Sequence, residues 1–323
     1  MSELLYPIKF TPILKNKIWG GRKLNSLLNK VSDSPNVGES WEISDVKGDI
    51  SIVSNGHLRG QSLKDLLGTY KENLIGKKNY KIFGERFPLL IKFIDAKENL
   101  SIQLHPDNKL AAERHNSFGK TEMWYVMQAD TNSNLIVGFN QKITSETYLR
   151  HLKEKSLTKI LNFDKVTSGD AYFIETGCVH AIGAGVLLAE IQQTSDVTYR
   201  IYDWDRVDDK GNSRELHNDL AIDAIDFSMK DNCRVQYSKT KNEFNKMVSC
   251  NYFTTNYLDL DSKIEKQNNQ DSFLIYMCVA GEAKIHTSNG METICEGETI
   301  LLPAALKTFS LSGKNTKLLE VYV

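Results

Sequence analysis

The chain is a series of short runs of β-branched and aromatic residues, separated by Gly, Asn, Asp or Ser. The runs are 89–94, 100–104, 123–127, 135–139, 171–174, 186–192, 273–279, 299–302 and 317–323. Most are too short for a typical helix, and their close succession is typical of an all-β barrel or sandwich. The sequence therefore predicts a mainly β fold.

Helical periodicity interrupts this pattern at 61–67, 145–161 and 215–227, where apolar residues recur on one face. We expect these few α-helices to cover the barrel. The stretch 261–271 is polar and rich in Asn, Gln and Lys, which predicts an exposed loop between strands.

Length and charge restrict the class of protein. A chain of 323 residues can bury a large core and has room for two domains. Its 40 basic and 41 acidic residues give a net charge of -1, so no broad positive field is available for nucleic acid or a membrane surface. Recognition of an anion must be local.

Neither the amino-terminal segment nor the cysteines indicate export. The first ten residues lack the long apolar run of a secretory signal, and no later stretch is apolar enough to span a bilayer. The five cysteines are odd in number and form no CxxC pair, which favours reduced thiols and a cytoplasmic location. Any metal must then use other ligands.

One segment recurs later in the chain. Residues 169–180 align without gaps to residues 297–308, and both have a Gly-acid turn, a short apolar strand and a bend. Two unrelated hairpins with similar turns are the alternative. Because each copy lies at the corresponding end of a strand series, we predict an internal duplication.

Both copies resemble the second motif of the cupin family, which runs Gly, five residues, Pro, one residue, Gly, two residues, His. The first copy keeps Gly169 and His180 but has Glu175 at the Pro position, and the second keeps Pro303 but has Thr308 at the His position. The resemblance implies two cupin-type barrels, also called double-stranded β-helices or jelly rolls. We predict a metal-binding domain with helical covers at 1–230 and a barrel without metal ligands at 231–323.

A polar face is predicted on the run 100–106. Alternate residues of a strand face the same side, so Ser101, Gln103 and His105 point together into the barrel. A second strand begins with Lys120 and Glu122, which also share a face.

Gln103, His105, Glu122 and His180 together form a candidate ligand set. Burying a carboxylate and two imidazoles without a partner is costly, and a divalent cation removes that cost. Two His, one Glu and an amide suit zinc with an open position, whereas iron or manganese also accepts two His and a carboxylate. The segment 188–206, crowded with acids and arginines, is predicted to form a wall of the same site.

Several motifs in order resemble type I phosphomannose isomerases over nearly the whole chain. They are Lys-Ile-Trp-Gly-Gly at 17–21, Gly-Glu-Ser-Trp-Glu at 38–42, Pro-Leu-Leu-Ile-Lys-Phe-Ile-Asp-Ala at 88–96, the Gln-x-His-Pro run at 103–106, and 194–200. The resemblance implies a zinc-dependent aldose-ketose isomerase with one Zn²⁺ per chain that interconverts mannose 6-phosphate and fructose 6-phosphate. We expect a monomer or weak homodimer with a sugar phosphate as its partner.

By this resemblance, the candidate ligand set falls on the zinc ligands of the family, and Arg200 falls on its active-site arginine. Further residues fall around the sugar: Lys92, Lys120, Glu190 and Asp196, with Ser101 and Arg206 as phosphate contacts. Two departures from the long forms of the family are a shorter interval between Glu122 and His180 and Gly119 in place of a His before the lysine.

Isomerisation requires ring opening and movement of a proton between C2 and C1 through an enediol. Lys120 is the predicted acid and base, because a nearby metal ion, Arg200 and Lys92 disfavour its charged form. Asp196 or Glu190 can serve instead. The competing hypotheses are an iron-dependent cupin oxygenase and a cupin that binds sugar without catalysis.

Overall fold

A computed structural model describes residues 5–207, 210–228, 233–269 and 271–323. Within these residues the chain is mostly strand, and β-branched and aromatic side chains fill the strand interiors. In this part of the chain, no helix is long and apolar enough to cross a membrane.

The first barrel consists of two sheets that face each other. Within the described residues, one sheet has the order β1-β2-β5-β12-β7-β10-β14 and the other has the order β13-β6-β11-β8-β9. A separate two-stranded ribbon pairs β3 with β4. The strands are β1 Ile13–Gly21, β2 Val37–Ile43, β3 Asp45–Val46, β4 Asp49–Ile50, β5 Leu89–Ala96, β6 Ile102–Leu104, β7 Glu122–Ala129, β8 Asn134–Phe139, β9 Leu161–Lys165, β10 Ala171–Ile174, β11 His180–Ile182, β12 Val186–Gln193, β13 Tyr199–Tyr202 and β14 Arg234–Val235.

The second barrel repeats this arrangement with shorter connections. Among its described residues, one sheet has the order β15-β16-β23-β18-β21 and the other the order β17-β22-β19-β20. The strands are β15 Phe244–Ser249, β16 Thr254–Leu260, β17 Ile264–Gln267, β18 Leu274–Ala280, β19 Glu282–Thr287, β20 Gly290–Cys295, β21 Thr299–Leu302, β22 Thr308–Gly313 and β23 Thr316–Tyr322. Two cupin-type barrels, as predicted, account for most of the chain.

Short helices cover the first barrel. They are α1 Lys23–Ser26, α2 Leu63–Tyr70, α3 Glu72–Ile75, α4 Lys77–Phe83, α5 Asn108–His115, α6 Ser145–Lys153, α7 Asn218–Ala221 and a 3-10 turn at Leu157–Ile160. A capping box fixes the start of α2, in which Ser62 and Asp65 each accept from the other's backbone N–H. The helix predicted at 61–67 therefore exists, although it starts and ends slightly later.

Three predictions of local structure were wrong in part. The segment 145–161 is helical only to Lys153, because the 3-10 turn and then β9 take up its last residues. The segment 215–227 holds only the single helical turn α7. Its backbone hydrogen-bonds to β13 instead, since the His217 N–H donates to the Arg200 carbonyl. The predicted loop 261–271 contains β17, which pairs with β22.

The two barrels share one hydrophobic core. Ile8 lies against the second barrel and exchanges both backbone hydrogen bonds with Leu301. The rings of Phe87 and Phe273 pack in a tilted arrangement with centroids 4.8 Å apart, and both side chains are fully buried. A continuous apolar layer of this kind makes the stability of each barrel depend on the other.

The passage from one barrel to the other lies between two described strands. β14 still pairs with β10 of the first barrel, and β15 begins the second at Phe244. The boundary predicted after Met229 falls at 229–232, outside the described residues. The division at residue 230 stays a prediction.

Strand register supports the predicted duplication. Ile174 of β10 pairs with Glu122 of β7, and Leu302 of β21, its counterpart in the aligned segment, pairs with Leu274 of β18. Leu274 therefore occupies the position of Glu122, and Thr308 that of His180. The second barrel has lost a carboxylate and an imidazole at the two places where the first barrel has them.

Candidate active site

Three strands of the first barrel bring the four predicted metal ligands together. Gln103 lies on β6, and His105 follows directly after that strand. Glu122 begins β7, and His180 begins β11, where it pairs with Gln103. The ends of these strands meet inside the barrel, so residues far apart in sequence become neighbours.

The ligand atoms form a tight cluster. The Nε2 atom of His105 lies 3.6 Å from one carboxylate oxygen of Glu122, and the Nε2 atom of His180 lies 3.4 Å from the other. Gln103 is adjacent, with its Nε2 atom 3.4 Å from Nε2 of His180. Among the described residues, His105, Glu122 and His180 are the one group of this type whose ligand atoms all lie within 4.8 Å of one another.

Both histidines are held in the tautomer that a metal requires. Nδ1 of His105 lies 2.8 Å from the Val197 carbonyl and Nδ1 of His180 lies 2.9 Å from the Cys178 carbonyl. Because a carbonyl oxygen only accepts, each Nδ1 carries the proton and each Nε2 presents a lone pair to the cluster. Burial lowers the pKa of His180 to about 4 and lowers that of His105 well below its usual value, so both rings are neutral at pH 7.

Glu122 is the residue that most requires a cation. Its side chain is fully buried, one oxygen pairs with the Lys120 ammonium, and the other has no hydrogen-bond donor among the described residues. Burial raises the pKa of Glu122, although the Lys120 ammonium, 2.9 Å away, opposes that shift. A divalent ion held by Glu122, His105, His180 and Gln103 would satisfy the carboxylate, so the donor set fits a metal.

A cavity of about 470 Å³ opens beside this cluster. Its wall combines many basic and acidic side chains with tryptophans, which suits a polar ligand that carries an anionic group. The lining residues are Lys15, Lys17, Trp19, Glu39, Trp41, Asp49, Lys92, Ile94, Leu100, Ser101, Gln103, Lys120, Trp124, His180, Ile182, Glu190, Asp196, Thr198, Arg200 and Arg214.

Lys92 and Glu190 form a buried ion pair in the cavity wall. They face each other on β5 and β12, with Nζ 2.9 Å from the carboxylate, and Trp124 Nε1 donates to Glu190 at 2.9 Å. Burial alone would raise the pKa of Glu190, but Lys92 and Lys120 outweigh it and hold the pKa below its usual value. Burial alone would lower the pKa of Lys92, but the charges of Glu190 and Glu39 outweigh burial and raise it. Both groups are charged at pH 7.

Arg200 lies on the opposite side of the cavity. Its Nε donates to Ser101 Oγ at 3.3 Å, and its Nη1 donates to the Glu215 carbonyl at 2.9 Å. No carboxylate of the described residues forms an ion pair with it. The predicted contacts Lys92, Lys120, Ser101, Glu190, Asp196 and Arg200 therefore all line one cavity.

Comparisons with known proteins agree with this geometry. Residues 8–140 match the family model "Phosphomannose isomerase type I, catalytic domain", and residues 243–323 match "Mannose-6-phosphate isomerase, cupin domain". A mannose-6-phosphate isomerase of Streptococcus mutans is 33% identical over 313 residues, which are 95% of each chain. The chain belongs to the type I phosphomannose isomerase family.

Two proteins of Bacillus subtilis extend this result. The family member ManA is 33% identical over 310 residues, 95% of this chain and 96% of that relative. A crystal structure of a mannose 6-phosphate isomerase from the same organism superposes with a TM-score of 0.90 at 31% identity, and the match covers 99% of this chain and 100% of that one. The family fold therefore extends through both barrels.

In this family member, one predicted phosphate contact lies apart from the cavity wall. Arg206 donates to the Asn99 carbonyl at 2.7 Å and to Asp203 at 2.6 Å, and Glu98 lies 4.0 Å away. The guanidinium of Arg206 is therefore already hydrogen-bonded, and it lies behind the cavity wall. A direct contact between Arg206 and phosphate stays a prediction, and it would require these hydrogen bonds to break.

The sequence reasoning missed several residues of the wall. Trp124, two positions after Glu122 on β7, shares its face by strand alternation and could have been found from that spacing. Glu39 and Lys17 form an ion pair at 3.2 Å within motifs that had been noticed only as a resemblance. Arg214 had no signal, because it lies in a loop without periodicity.

Proposed function

We propose that this protein interconverts D-mannose 6-phosphate and D-fructose 6-phosphate at the cavity of the first barrel, with one zinc ion per chain. The observation that carries the proposal is the buried cluster of His105, Glu122 and His180 at the base of a cavity lined by Lys120 and Arg200. Family membership supports the same reaction.

Zinc at this cluster would supply a Lewis acid that polarises the sugar carbonyl, a contribution of several kcal/mol to the stability of the enediolate. Iron or manganese has the same first ligands available. The Nδ1 hydrogen bonds of both histidines fix the direction of their Nε2 lone pairs before any ligand arrives. The protein thus contributes preorganisation rather than rearrangement.

Lys120 is our candidate for moving the proton between C2 and C1. Its Nζ lies 3.1 Å from Nε2 of His105 and 2.9 Å from Glu122, and the side chain also lines the cavity. Glu190 is less suited to accept a proton, because Lys92 and Trp124 already bind its carboxylate. Asp196 lines the cavity and remains the second candidate.

Arg200 is proposed to stabilise oxyanion charge. Ser101 and the Glu215 carbonyl orient the guanidinium, and no carboxylate competes for it among the described residues. The Lys92–Glu190 pair would bind sugar hydroxyls, since one group donates and the other accepts. A cytoplasmic location and a monomeric or weakly dimeric state stay predictions from the sequence.

The test is a coupled assay that follows conversion of mannose 6-phosphate before chelation, after chelation, and with zinc restored. Activity should disappear with the metal and return with zinc. Lys120→Met should retain zinc and lose most of its turnover, whereas full turnover in that variant would exclude Lys120 as the acid and base. A zinc-loaded protein without isomerase activity would contradict the proposed function.

The same assay separates the competing hypotheses. An iron-dependent oxygenase would consume oxygen and stop under nitrogen, and a sugar-binding cupin would bind mannose 6-phosphate without turnover. Isomerisation that continues without oxygen would exclude both.

A further inference from the structure

The lysines of the cavity wall are paired with carboxylates, whereas, among the described residues, Asp196 and the arginines Arg200 and Arg214 are not paired in this way across the wall. Lys15 pairs with Asp49, Lys17 with Glu39 and Lys92 with Glu190. Lys120 likewise pairs with Glu122. The lysines of the wall therefore contribute little net positive charge to the cavity.

The arginine cluster consists of Arg200, Arg206 and Arg214, and one buried carboxylate, Asp203, lies among them. Asp203 Oδ1 accepts from Arg206 at 2.6 Å and from Arg214 at 2.5 Å, and its Oδ2 accepts from Arg214 Nε at 2.7 Å. The other nearby acids are both exposed: Glu98 lies 4.0 Å from Arg206, and the charge of Glu215 acts to raise the pKa of Arg200. Three guanidinium groups thus surround one full ion-pair partner, and the surplus positive charge lies at the cavity.

Asp203 also fixes how Arg214 is oriented. The carboxylate binds the Nε and Nη2 edge of the guanidinium in the two-point geometry that restricts it most. Burial alone would raise the pKa of Asp203, but hydrogen bonds from Arg214 and Arg206 outweigh it and hold the pKa below its usual value. The clamp therefore persists at neutral pH. Nη1 of Arg214 has no hydrogen-bond partner among the described residues, and the side chain lines the cavity.

Arg200 faces the same space with a similar remaining donor. Its Nε and Nη1 bind Ser101 and the Glu215 carbonyl, which leaves Nη2 without a partner in the described part of the chain. The positive charge of Arg214 repels that of Arg200. After burial, this repulsion contributes most to the lowered pKa of Arg200. Two guanidinium groups in one wall repel each other unless an anion lies between them.

We propose that Arg214 binds the phosphate group of the substrate in the wall beside Arg200, and that Arg214 determines specificity for the phosphorylated sugar. This inference rests on the proposed isomerase function. Asp203 and Arg206 act as positioning residues behind Arg214. Guanidinium groups suit the site because each presents hydrogen-bond donors in a plane that matches phosphate oxygens.

The experiment compares Arg214→Met and Arg214→Lys with the wild type in steady-state kinetics. Loss of one charge-assisted contact to phosphate should raise KM for mannose 6-phosphate roughly ten- to hundred-fold, with a much smaller change in kcat. Competitive inhibition by inorganic phosphate should weaken by a similar factor. The KM and the phosphate inhibition of Arg214→Lys should lie between those of the wild type and Arg214→Met, because lysine keeps the charge but cannot form the two-point contact with Asp203.

Arg59→Met is the matched control, since Arg59 is an exposed arginine outside the cavity wall. Its KM and phosphate inhibition should equal those of the wild type. Thermal unfolding of each variant identifies any loss of folded protein, and Arg214→Lys remains informative if Arg214→Met does not fold.

Unchanged KM and unchanged phosphate inhibition in folded Arg214 variants would overturn the assignment while leaving the isomerase function intact. If the wild type itself shows no isomerase activity, the proposed function fails separately, and calorimetric binding of inorganic phosphate to the wild type and Arg214→Met decides the phosphate site alone. Equal binding by both proteins would then overturn it.

Discussion

At the scale of single residues, the buried carboxylate of Glu122 is the strongest indication that the first barrel holds a cation. Burying a charged carboxylate costs several kcal/mol, and the nearby ammonium groups of Lys120 and Lys92 offset only part of that cost. The two neutral imidazoles add lone pairs but no positive charge. The cluster therefore suits a divalent ion.

Glu122→Gln should abolish stoichiometric zinc binding, because it removes the one anionic ligand while keeping the shape of the side chain. Metal content after dialysis, measured by atomic emission, and isomerase activity should both fall close to the chelated wild type. The control is Glu113→Gln, an exposed position on α5. A Glu122→Gln protein that retains one zinc ion per chain would show that this carboxylate is not a ligand.

Glu190→Gln should destabilise the protein by about 3–5 kcal/mol, because it leaves the Lys92 ammonium buried without its main partner. Urea unfolding at pH 7 measures this difference in the free energy of unfolding. The double variant Lys92→Met with Glu190→Gln is the control and should recover part of the loss, because no buried charge then remains unpaired. Equal stability of the wild type and Glu190→Gln would contradict the role given to the pair.

The same pair predicts a pH dependence of stability. The pKa of Glu190 is lower in the folded protein than its ordinary value of 4.5. The contribution of Glu190 to stability is therefore complete above pH 4.5. It is lost as the pH falls from 4.5 toward the pKa of Glu190 in the folded protein. Urea unfolding between pH 3 and pH 6 should show a smaller loss of stability on acidification for Glu190→Gln than for the wild type, and identical slopes would contradict this.

At the scale of secondary-structure elements, the close approach of β1 and β2 determines one wall of the cavity. A Cβ atom at Gly20 would lie 2.5 Å from both the Asn36 carbonyl oxygen and the Gly38 nitrogen. Backbone atoms cannot move aside as a flexible side chain does. β1 carries Lys17 and Trp19 into the cavity, so the geometry of the wall depends on this glycine.

Gly20→Ala should therefore lower stability by about 1–3 kcal/mol and raise KM for mannose 6-phosphate, since β1 must shift outward. Thermal unfolding and steady-state kinetics measure the two effects. Gly68→Ala is the control: its Cβ would meet nothing closer than 3.9 Å, and alanine stabilises a helix by about 0.5–1 kcal/mol relative to glycine. Wild-type stability in Gly20→Ala would show that the strands separate easily.

At the scale of the whole molecule, one hydrophobic cluster extends from the barrel with the proposed metal site into the second barrel. Phe87 of the first barrel and Phe273 of the second belong to the same buried cluster. The tryptophans at 19, 41, 124 and 204 all precede β15, so tryptophan fluorescence reports on the first barrel alone.

Phe273→Ala should lower stability by about 3–5 kcal/mol and shift the unfolding transition seen by tryptophan fluorescence, although the substitution lies in the second barrel. Far-UV circular dichroism, which reports on both barrels, should give a coincident transition. Phe309→Ala, in the separate core of the second barrel, is the matched comparison. A fluorescence transition unaffected by Phe273→Ala would show that the barrels unfold independently.

The sequence by itself predicted the mainly β fold and the runs from 89–94 to 317–323, which all overlap strands, whereas the duplication and the metal ligands stay predictions. Alternation and composition identify half-buried strands locally, and Gln103, His105, Glu122 and His180 were recognisable because polar residues in apolar strands are rare and follow motifs. Periodicity at 215–227 predicted a long helix and failed, because hydrogen bonds between that segment and β13 replace those of a helix. Local pattern does not include such tertiary competition.

Only the tertiary structure decided which charged residues face the cavity. Arg206 and Arg214 are chemically the same in the sequence. Asp203 and the Asn99 carbonyl hold Arg206 behind the wall. Asp203 also orients Arg214, which lines the cavity. The same holds for β17, where Lys266 turns inward to pair with buried Glu320 although its segment resembles a loop. A charged side chain takes its position from the balance of burial and partners, and those partners come from strands distant in the chain.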